Sequence, residues 1–224
     1  METKDGNVNL PKGKWYRTEQ LVCKIIGEGF VLQPIDGGFI FEGNRAEFLY
    51  SMLNLIPDTS IKEYLPGVDF SSPDAINKHF FNICVKSESG LGFAYGIIMG
   101  QGLIGIIYVN TPDFNKITIG FNHWTIDFFL APPFQKGGLM PHMLTPFFRF
   151  LHDDLNISRI YAIVDDSNTP CRNMLEHEFE FFTPKPEMTF NDTSRNGKRA
   201  ICYEGDLDFM SVGDFLSSLF PPSD

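Results

Sequence analysis

The chain is short of positive charge. Its 224 residues carry 18 Lys and Arg against 28 Asp and Glu, a net charge of −10. Nucleic acids and anionic membranes select a basic footprint, so neither is expected as a partner, and a cationic or neutral one suits the field better. Long hydrophobic runs are also missing. The longest, at 96–109, is broken by Gly100, Gln101 and Gly102, whereas a membrane span needs about 20 apolar residues. Residues 1–14 are polar and lack the apolar region of a signal peptide. The cysteines, Cys23, Cys84, Cys171 and Cys202, form no Cys-x-x-Cys pair, which argues against zinc knuckles and thioredoxin-type chemistry. Scattered cysteines in a chain of this size read as reduced, so a soluble cytoplasmic protein is expected. His79, His123, His142, His152 and His177 show no ligand spacing, and no metal site is expected. What the chain has in excess is phenylalanine. Its 23 Phe imply an aromatic-rich core or an aromatic-lined pocket.

The pattern mixes helix and strand. Short β-type runs at 21–26 and 30–32 precede a helical spacing of Ala46, Leu49, Tyr50 and Leu53. Ser72 and Pro73 form an N-cap and first turn, with Ile76, Phe80 and Ile83 on one helical face. The runs at 91–98 and 103–109 read as a hairpin. A turn at 110–115 and a long β-prone segment at 117–130 follow, stopped by Ala131-Pro132-Pro133. Leu139, Met143, Leu144, Phe147, Phe148 and Leu151 recur at helical spacing, with Pro146 in the interior where it should cost or kink. The cluster Phe147-Phe148-x-Phe150 reads as core. A strand at 159–164, a helix at 168–177 and strands at 179–190 and 200–207 complete the order. Asp153-Asp154 and Asp165-Asp166 read as solvated end charges. The fold class expected is α/β or α+β, a sheet with helices on its faces.

Between the strand ending at Leu130 and the helix opening at Leu139 lies Gln135-Lys136-Gly137-Gly138. A strand, a short glycine-containing loop and a helix N-terminus suit an anion, because free backbone N–H groups and the helix dipole point at it. This loop is not Gly-x-Gly-x-x-Gly, and the chain has no Gly-Lys-Ser/Thr, so the nucleotide fingerprints are missing there. On its own the loop could be an ordinary turn.

The wider order narrows the reading. Gln135-x-x-Gly138-x-Met140 resembles the Q/R-x-x-G-x-G/A acetyl-CoA loop of the GNAT N-acetyltransferases, and residues 38–207 resemble the RimJ/RimL-like branch. The matching features are Tyr64-Leu65-Pro66, the capped helix at Ser72, the hairpin, and the lead Leu130-Ala131-Pro132-Pro133-Phe134 into the loop. After the loop helix come Asn168-Thr169-Pro170-Cys171, then Leu175-Glu176 and Phe179. The resemblance implies a mixed, mostly antiparallel sheet, splayed at its centre, with helices on both faces and acetyl-CoA in the wedge. The pyrophosphate would lie on the amides of Gln135, Lys136, Gly137, Gly138 and Leu139, beside Met140. The pantetheine would pair with the backbone near Phe129 and Leu130, Asn168 would fix the cofactor or the strand end, and Cys171 would face the thioester.

Four positions depart from the family pattern. Met140 replaces Gly or Ala, Thr125 stands where many relatives carry a strand Glu, Cys171 replaces Ser, and Glu178 replaces the Gly before Phe179. By strand alternation Thr125, Asp127 and Phe129 share a face. Asp127 is therefore the nearest carboxylate to the usual base, and its alternative reading is a loop cap or an ion pair. His123 is a second base candidate or a structural histidine. Cys171 is a proton donor to the leaving thiolate or a small buried hydrophobe. The function expected is acetyl-CoA-dependent transfer of an acetyl group to a primary amine by direct attack. The acceptor is a protein N-terminus or a small amine. The alternative is a non-catalytic CoA-binding or partner-binding module on the same fold. Residues 1–37 read as an extension. Residues 208–224 read as a tail whose stripe of Phe209, Val212, Leu216 and Leu219 docks on its own sheet or on a second copy.

Overall fold

The computed structural model describes residues 21–25, 28–35, 65, 68–100, 102–191 and 199–210. The helix expected around Ala46–Leu53 and the tail positions Val212, Leu216 and Leu219 lie outside the described residues. The β-branched and aromatic runs form β1 (Leu21–Ile25), β2 (Glu28–Pro34), β3 (Gly92–Met99) and β4 (Gly102–Asn110). They continue as β5 (Thr125–Leu130), β6 (Arg159–Asp165), β7 (Phe182–Asn191) and β8 (Arg199–Asp206). One sheet takes the order β1-β2-β3-β4-β5-β6-β8-β7, antiparallel throughout except between β5 and β6. The four α-helices among the described residues are α1 (Pro73–Glu88), α2 (Pro112–Ile119), α3 (Leu139–Asp153) and α4 (Thr169–His177). None is long and apolar enough to cross a membrane.

Helix starts follow the local chemistry. Ser72 caps α1 and its side chain accepts the Ala75 N–H at 3.2 Å, with Pro73 in the first turn. Thr111, Pro112 and Asp113 repeat that arrangement and start α2, where a turn and then a strand were expected. The run Ile117-Thr118-Ile119 favours strand by propensity. The cap, together with Gly120 in the left-handed region at φ 69°, folds it as the last turn of a short helix.

The core lies on both faces of the sheet. Ile76, Phe80 and Ile83 of α1 pack against Ala94, Ile106 and Phe129. On the other face Met143, Leu144, Phe147, Phe148 and Leu151 of α3 are wholly buried against Tyr95, Ile107, Ile126 and Ile160. Phe147 meets the Tyr95 ring edge-on at 5.2 Å, while Phe148 meets Phe179 and Phe181 at 5.4 Å each. These phenylalanines thus grip both halves of the sheet from below, each ring pair adding about 1 kcal/mol beyond its burial. Pro146 does sit inside α3, and the adjacent Thr145 hydroxyl donates to the Pro141 carbonyl, one turn back, at 3.0 Å.

Candidate active site

The only parallel pair among the described strands opens almost at once. β5 and β6 register at Thr125 and Tyr161, where the Tyr161 N–H donates to the Trp124 carbonyl at 2.9 Å. Beyond that point the strands part. Alternation along β5 sends the backbone groups of Phe128 and Leu130 toward the gap, as it sends Trp124 toward Tyr161. The Phe129 carbonyl points the other way, over Gly105 of β4. The backbone groups that face the gap are therefore those of Phe128 and Leu130, and not those of Phe129.

The gap continues into a cavity of about 580 Å³. Phe129, Leu130, Gln135, Lys136, Gly138, Leu139, Met140, Asn168 and Cys171 border it, together with Phe134, Met174 and Glu178. Gly137 lies within the same loop but does not border the cavity. The Gln135 N–H, expected to face the pyrophosphate, donates instead to the Pro132 carbonyl at 3.2 Å, so any open amides lie further along the loop. Lys136 and Gly138 both take φ 68°, and no side chain caps the start of α3. The first N–H groups of such a helix have no intrahelical partner. A Cβ on Gly137 or Gly138 would meet nothing within 4 Å, so the protein leaves space over these amides. A left-handed Lys136 costs about 1 kcal/mol, a strain of the kind found at ligand-binding turns. Gln135 turns its side chain inward, Nε2 donating to the Leu130 carbonyl at 2.8 Å, and so ties the loop to the end of β5. The donor set and the space fit the pyrophosphate and pantetheine of a coenzyme A thioester.

The opposite wall is held by α4. Asn168 caps it, Oδ1 accepting the Cys171 N–H at 3.2 Å. Arg172 donates to Asp166 Oδ1 at 2.8 Å and to the Tyr203 hydroxyl at 3.3 Å, which pins the helix to the sheet. Asp166 is thus an ion-pair partner. Asp165 is buried, its Oδ1 accepting from the Ser167 N–H at 2.8 Å and hydroxyl at 2.6 Å, so it is not the solvated charge expected, whereas Asp166 keeps 43% of its side chain exposed. Glu178 ends α4 at φ −96°, a right-handed conformation that needs no glycine, and this accounts for one departure from the family pattern. Met140 packs its side chain into the core below the cavity.

The acid–base candidates separate. Cys171 is half-buried at the cavity wall. Asp127 does not line the cavity, but it shares a sheet face with Phe129, which does. His123 is exposed and tilted against both Phe121 and Tyr161, with centroids at 4.8 and 4.7 Å, away from the cavity lining. Thr125 is buried, its hydroxyl held by Asn110 Nδ2 and Asn115 Nδ2 at 3.1 Å each. Around Asp127 lies a polar group that periodicity did not reveal. Asn110 Nδ2 donates to Asp127 Oδ2 at 3.2 Å, and Lys86 Nζ donates to Asn110 Oδ1. Tyr108 lies directly across from Asp127 and shares a 2.9 Å hydrogen bond with His79 Nε2. Burial brings His79 down to about 4, with Lys86 adding to the effect and Asp69 opposing it. Burial, then the Asp127 charge, raises the Tyr108 phenol. Both are therefore neutral near pH 7. The available signal was Gly92, Asn110 and Asn115, small or amide residues that break otherwise apolar or β-prone runs.

The family model of the acetyltransferase (GNAT) domain matches residues 45–178, more than half of the chain. The chain belongs to this family. Its GNAT fold is similar to a RimL ribosomal L7/L12 alpha-N-protein acetyltransferase in complex with coenzyme A. That match has 15% identity and a TM-score of 0.63, and covers 84% of this chain and 99% of that one. It is also similar to Mycobacterium smegmatis RimJ in complex with CoA-disulfide, at 12% identity and a TM-score of 0.66, covering 87% and 90%. A Salmonella typhimurium acetyl transferase that modifies the N-terminal serine of L7/L12 matches at 15% identity and 0.59, covering 83% and 99%. At these identities the likeness establishes the GNAT fold alone. The search of curated proteins returns no match.

Proposed function

We propose that the chain transfers an acetyl group from acetyl-CoA to a primary amine, a protein N-terminus or a small amine. The observation that carries this reading is the gap beside Phe128 and Leu130, leading straight to the open amides at Gly138. Acetyl-CoA supplies the activated acyl carbon and the leaving thiol. Phe128 and Leu130 hold its extended arm by backbone pairing, and the loop amides with the α3 dipole hold its phosphates. The nitrogen–carbon bond forms as the carbon–sulfur bond breaks. The proton leaving the amine passes to Asp127, directly or through one water, and Cys171, at the cavity wall, gives a proton to the departing sulfur. The net charge of −10 favours a cationic acceptor. Nucleic acid and membrane surfaces are not proposed as partners.

The test is thiol release from acetyl-CoA across a panel of peptides with free N-termini and of small amines, alongside calorimetry of CoA. Release with at least one amine, together with CoA binding, supports the reading. The fixed hydroxyl of Thr125, which has no basic atom to offer where relatives carry Glu, favours the second reading of a non-catalytic CoA-binding module. CoA binding with no thiol release for any amine would support that one. The absence of CoA binding overturns both.

A further inference from the structure

A lysine threads between α1 and the sheet to reach the neighbour of Asp127. Lys86 lies in the last turn of α1 and is half-buried. Its stem crosses β3 at Gly92, where a Cβ would lie 2.8 Å from Lys86 Cε and 2.5 Å from the Val109 carbonyl. Glycine makes the slot. The ammonium ends 3.5 Å from the centroid of the Phe114 ring of α2 and donates to Asn110 Oδ1. Slot, ring face and acceptor come from three different elements, β3, α2 and β4.

A lysine offers donors only. Its bond to the Asn110 oxygen therefore sets the orientation of that amide and commits the NH2 to the other side. There Asn110 Nδ2 reaches Asp127 Oδ2 at 3.2 Å and Thr125 Oγ1 at 3.1 Å. Asn115 Nδ2 donates to Thr125 Oγ1 at 3.1 Å and to the His123 carbonyl at 2.7 Å, which holds the hydroxyl that the Asn110 amide meets.

We propose that Lys86 is a positioning residue for Asp127, acting through the Asn110 amide and its own charge to keep the carboxylate aimed and ionised. The inference rests on the reading of Asp127 as the base. The titratable groups packed near Asp127 are Lys86 and His79 of α1 and Tyr108 of β4, with Asp69 ahead of α1 acting on His79. His79 and Tyr108 are neutral near pH 7, and Lys86 is the cation among these three groups, coupled to Asp127 by charge and through Asn110. Burial pushes its ammonium down to about 8, and the Asp127 charge opposes that fall.

The experiment is a reciprocal titration of the ligand-free protein, following the Asp127 carboxyl carbon and the Lys86 ammonium nitrogen by NMR. In Lys86→Met the Asp127 midpoint should rise by about one pH unit, a tenfold change in its proton affinity. In Asp127→Asn the Lys86 midpoint should fall by a similar amount, because coupling between two sites is reciprocal. Lys86→Arg keeps the charge and should return Asp127 most of the way to its native midpoint. Once an acceptor amine is in hand, the acidic limb of kcat/KM should move with the Asp127 midpoint. Midpoints that stay in place in both variants overturn the proposal. Should Lys86→Met fail to fold, the Lys86 midpoint in Asp127→Asn decides alone. An Asp127→Asn variant with native rate and pH profile overturns the base reading instead, and the two titrations still decide the coupling.

Discussion

Tyr161 and Trp124 share the hydrogen bond at which the central strands part. On one side of it the loop before β5 closes over the sheet, with Tyr161 packed among Phe121 and Cys202. The other side is the gap into which Phe128 and Leu130 turn their backbones. The phenylalanines of α3 hold both halves of the sheet together beneath that opening. A sheet can leave two strand edges unpaired in its middle only where something else satisfies them. The occupant proposed for these edges is the extended arm of acetyl-CoA.

Gly138→Val tests the loop. Nothing lies within 4 Å of the Cβ position, so the substitution makes no clash inside the protein. It does place a β-branched residue at φ 68° and a side chain over the amides. The helical and near-ultraviolet circular dichroism should stay native, while CoA affinity measured by calorimetry should fall tenfold or more, about 1.4 kcal/mol. An unchanged affinity in a folded variant would remove the loop from the site.

Much of the fold was legible because it is written in local signals. The cap at Ser72-Pro73, the Gly100–Gly102 break of the hairpin and the heptad-like apolar spacing of α3 all form as their residues require. The helix α2 was missed although Thr111-Pro112-Asp113 repeats the Ser72-Pro73-Asp74 signature, because Ile117-Thr118-Ile119 argued louder for strand. The loop and Cys171 were visible as a motif with fixed spacing. The Lys86, Asn110 and Asp127 chain was not. Its members lie 24 and 17 residues apart, and only the register of β4 with β5 and the slot at Gly92 bring them together. A lysine in the last turn of a helix reads in sequence as a surface charge.

Gly105→Ala tests how closely β4 sets the opening. A Cβ there would lie 2.4 Å from the Phe129 carbonyl and 2.8 Å from Leu130 Cδ2, so β5 must move. Overpacking of this kind costs about 1–3 kcal/mol. The urea midpoint should drop accordingly, and the displaced Leu130 should weaken CoA binding as well. A variant of native stability would show that β5 yields without strain.

His79 gives stability a pH dependence of definite sign. Its folded value of about 4 lies below the ordinary 6.5, mainly through burial. The neutral ring therefore contributes stability that is fully present above pH 6.5 and is lost as pH falls through 4. Between those limits the loss should approach about 3 kcal/mol. His79→Gln keeps a partner for Tyr108 but cannot titrate. Urea unfolding from pH 7 to 4 should show a flatter decline for His79→Gln than for the native chain. Parallel curves would mean that His79 does not titrate differently on unfolding.

His152 carries the opposite sign at the point where the chain leaves the sheet. Leu207 is wholly buried and its N–H reaches the Ser158 carbonyl at 2.8 Å, whereas Phe209 is 70% exposed. Between them Asp208 accepts from His152 Nε2 at 3.2 Å, and Asp153 engages Nδ1 at 2.7 Å. Hydrogen bonding to Asp153, more than that to Asp208, raises the imidazole above 6.5. Its stabilising contribution is therefore complete below pH 6.5 and disappears as pH rises through the folded value. Solvent access keeps it under about 1 kcal/mol. Asp208→Asn should lower the His152 midpoint seen by proton NMR, yet leave it above 6.5 because Asp153 remains. None of these groups borders the cavity, so a chain ending at Asp208 should bind CoA with native affinity. Loss of binding in a truncated chain that keeps its fold and its His152 titration would place residues beyond Asp208 in the cofactor site.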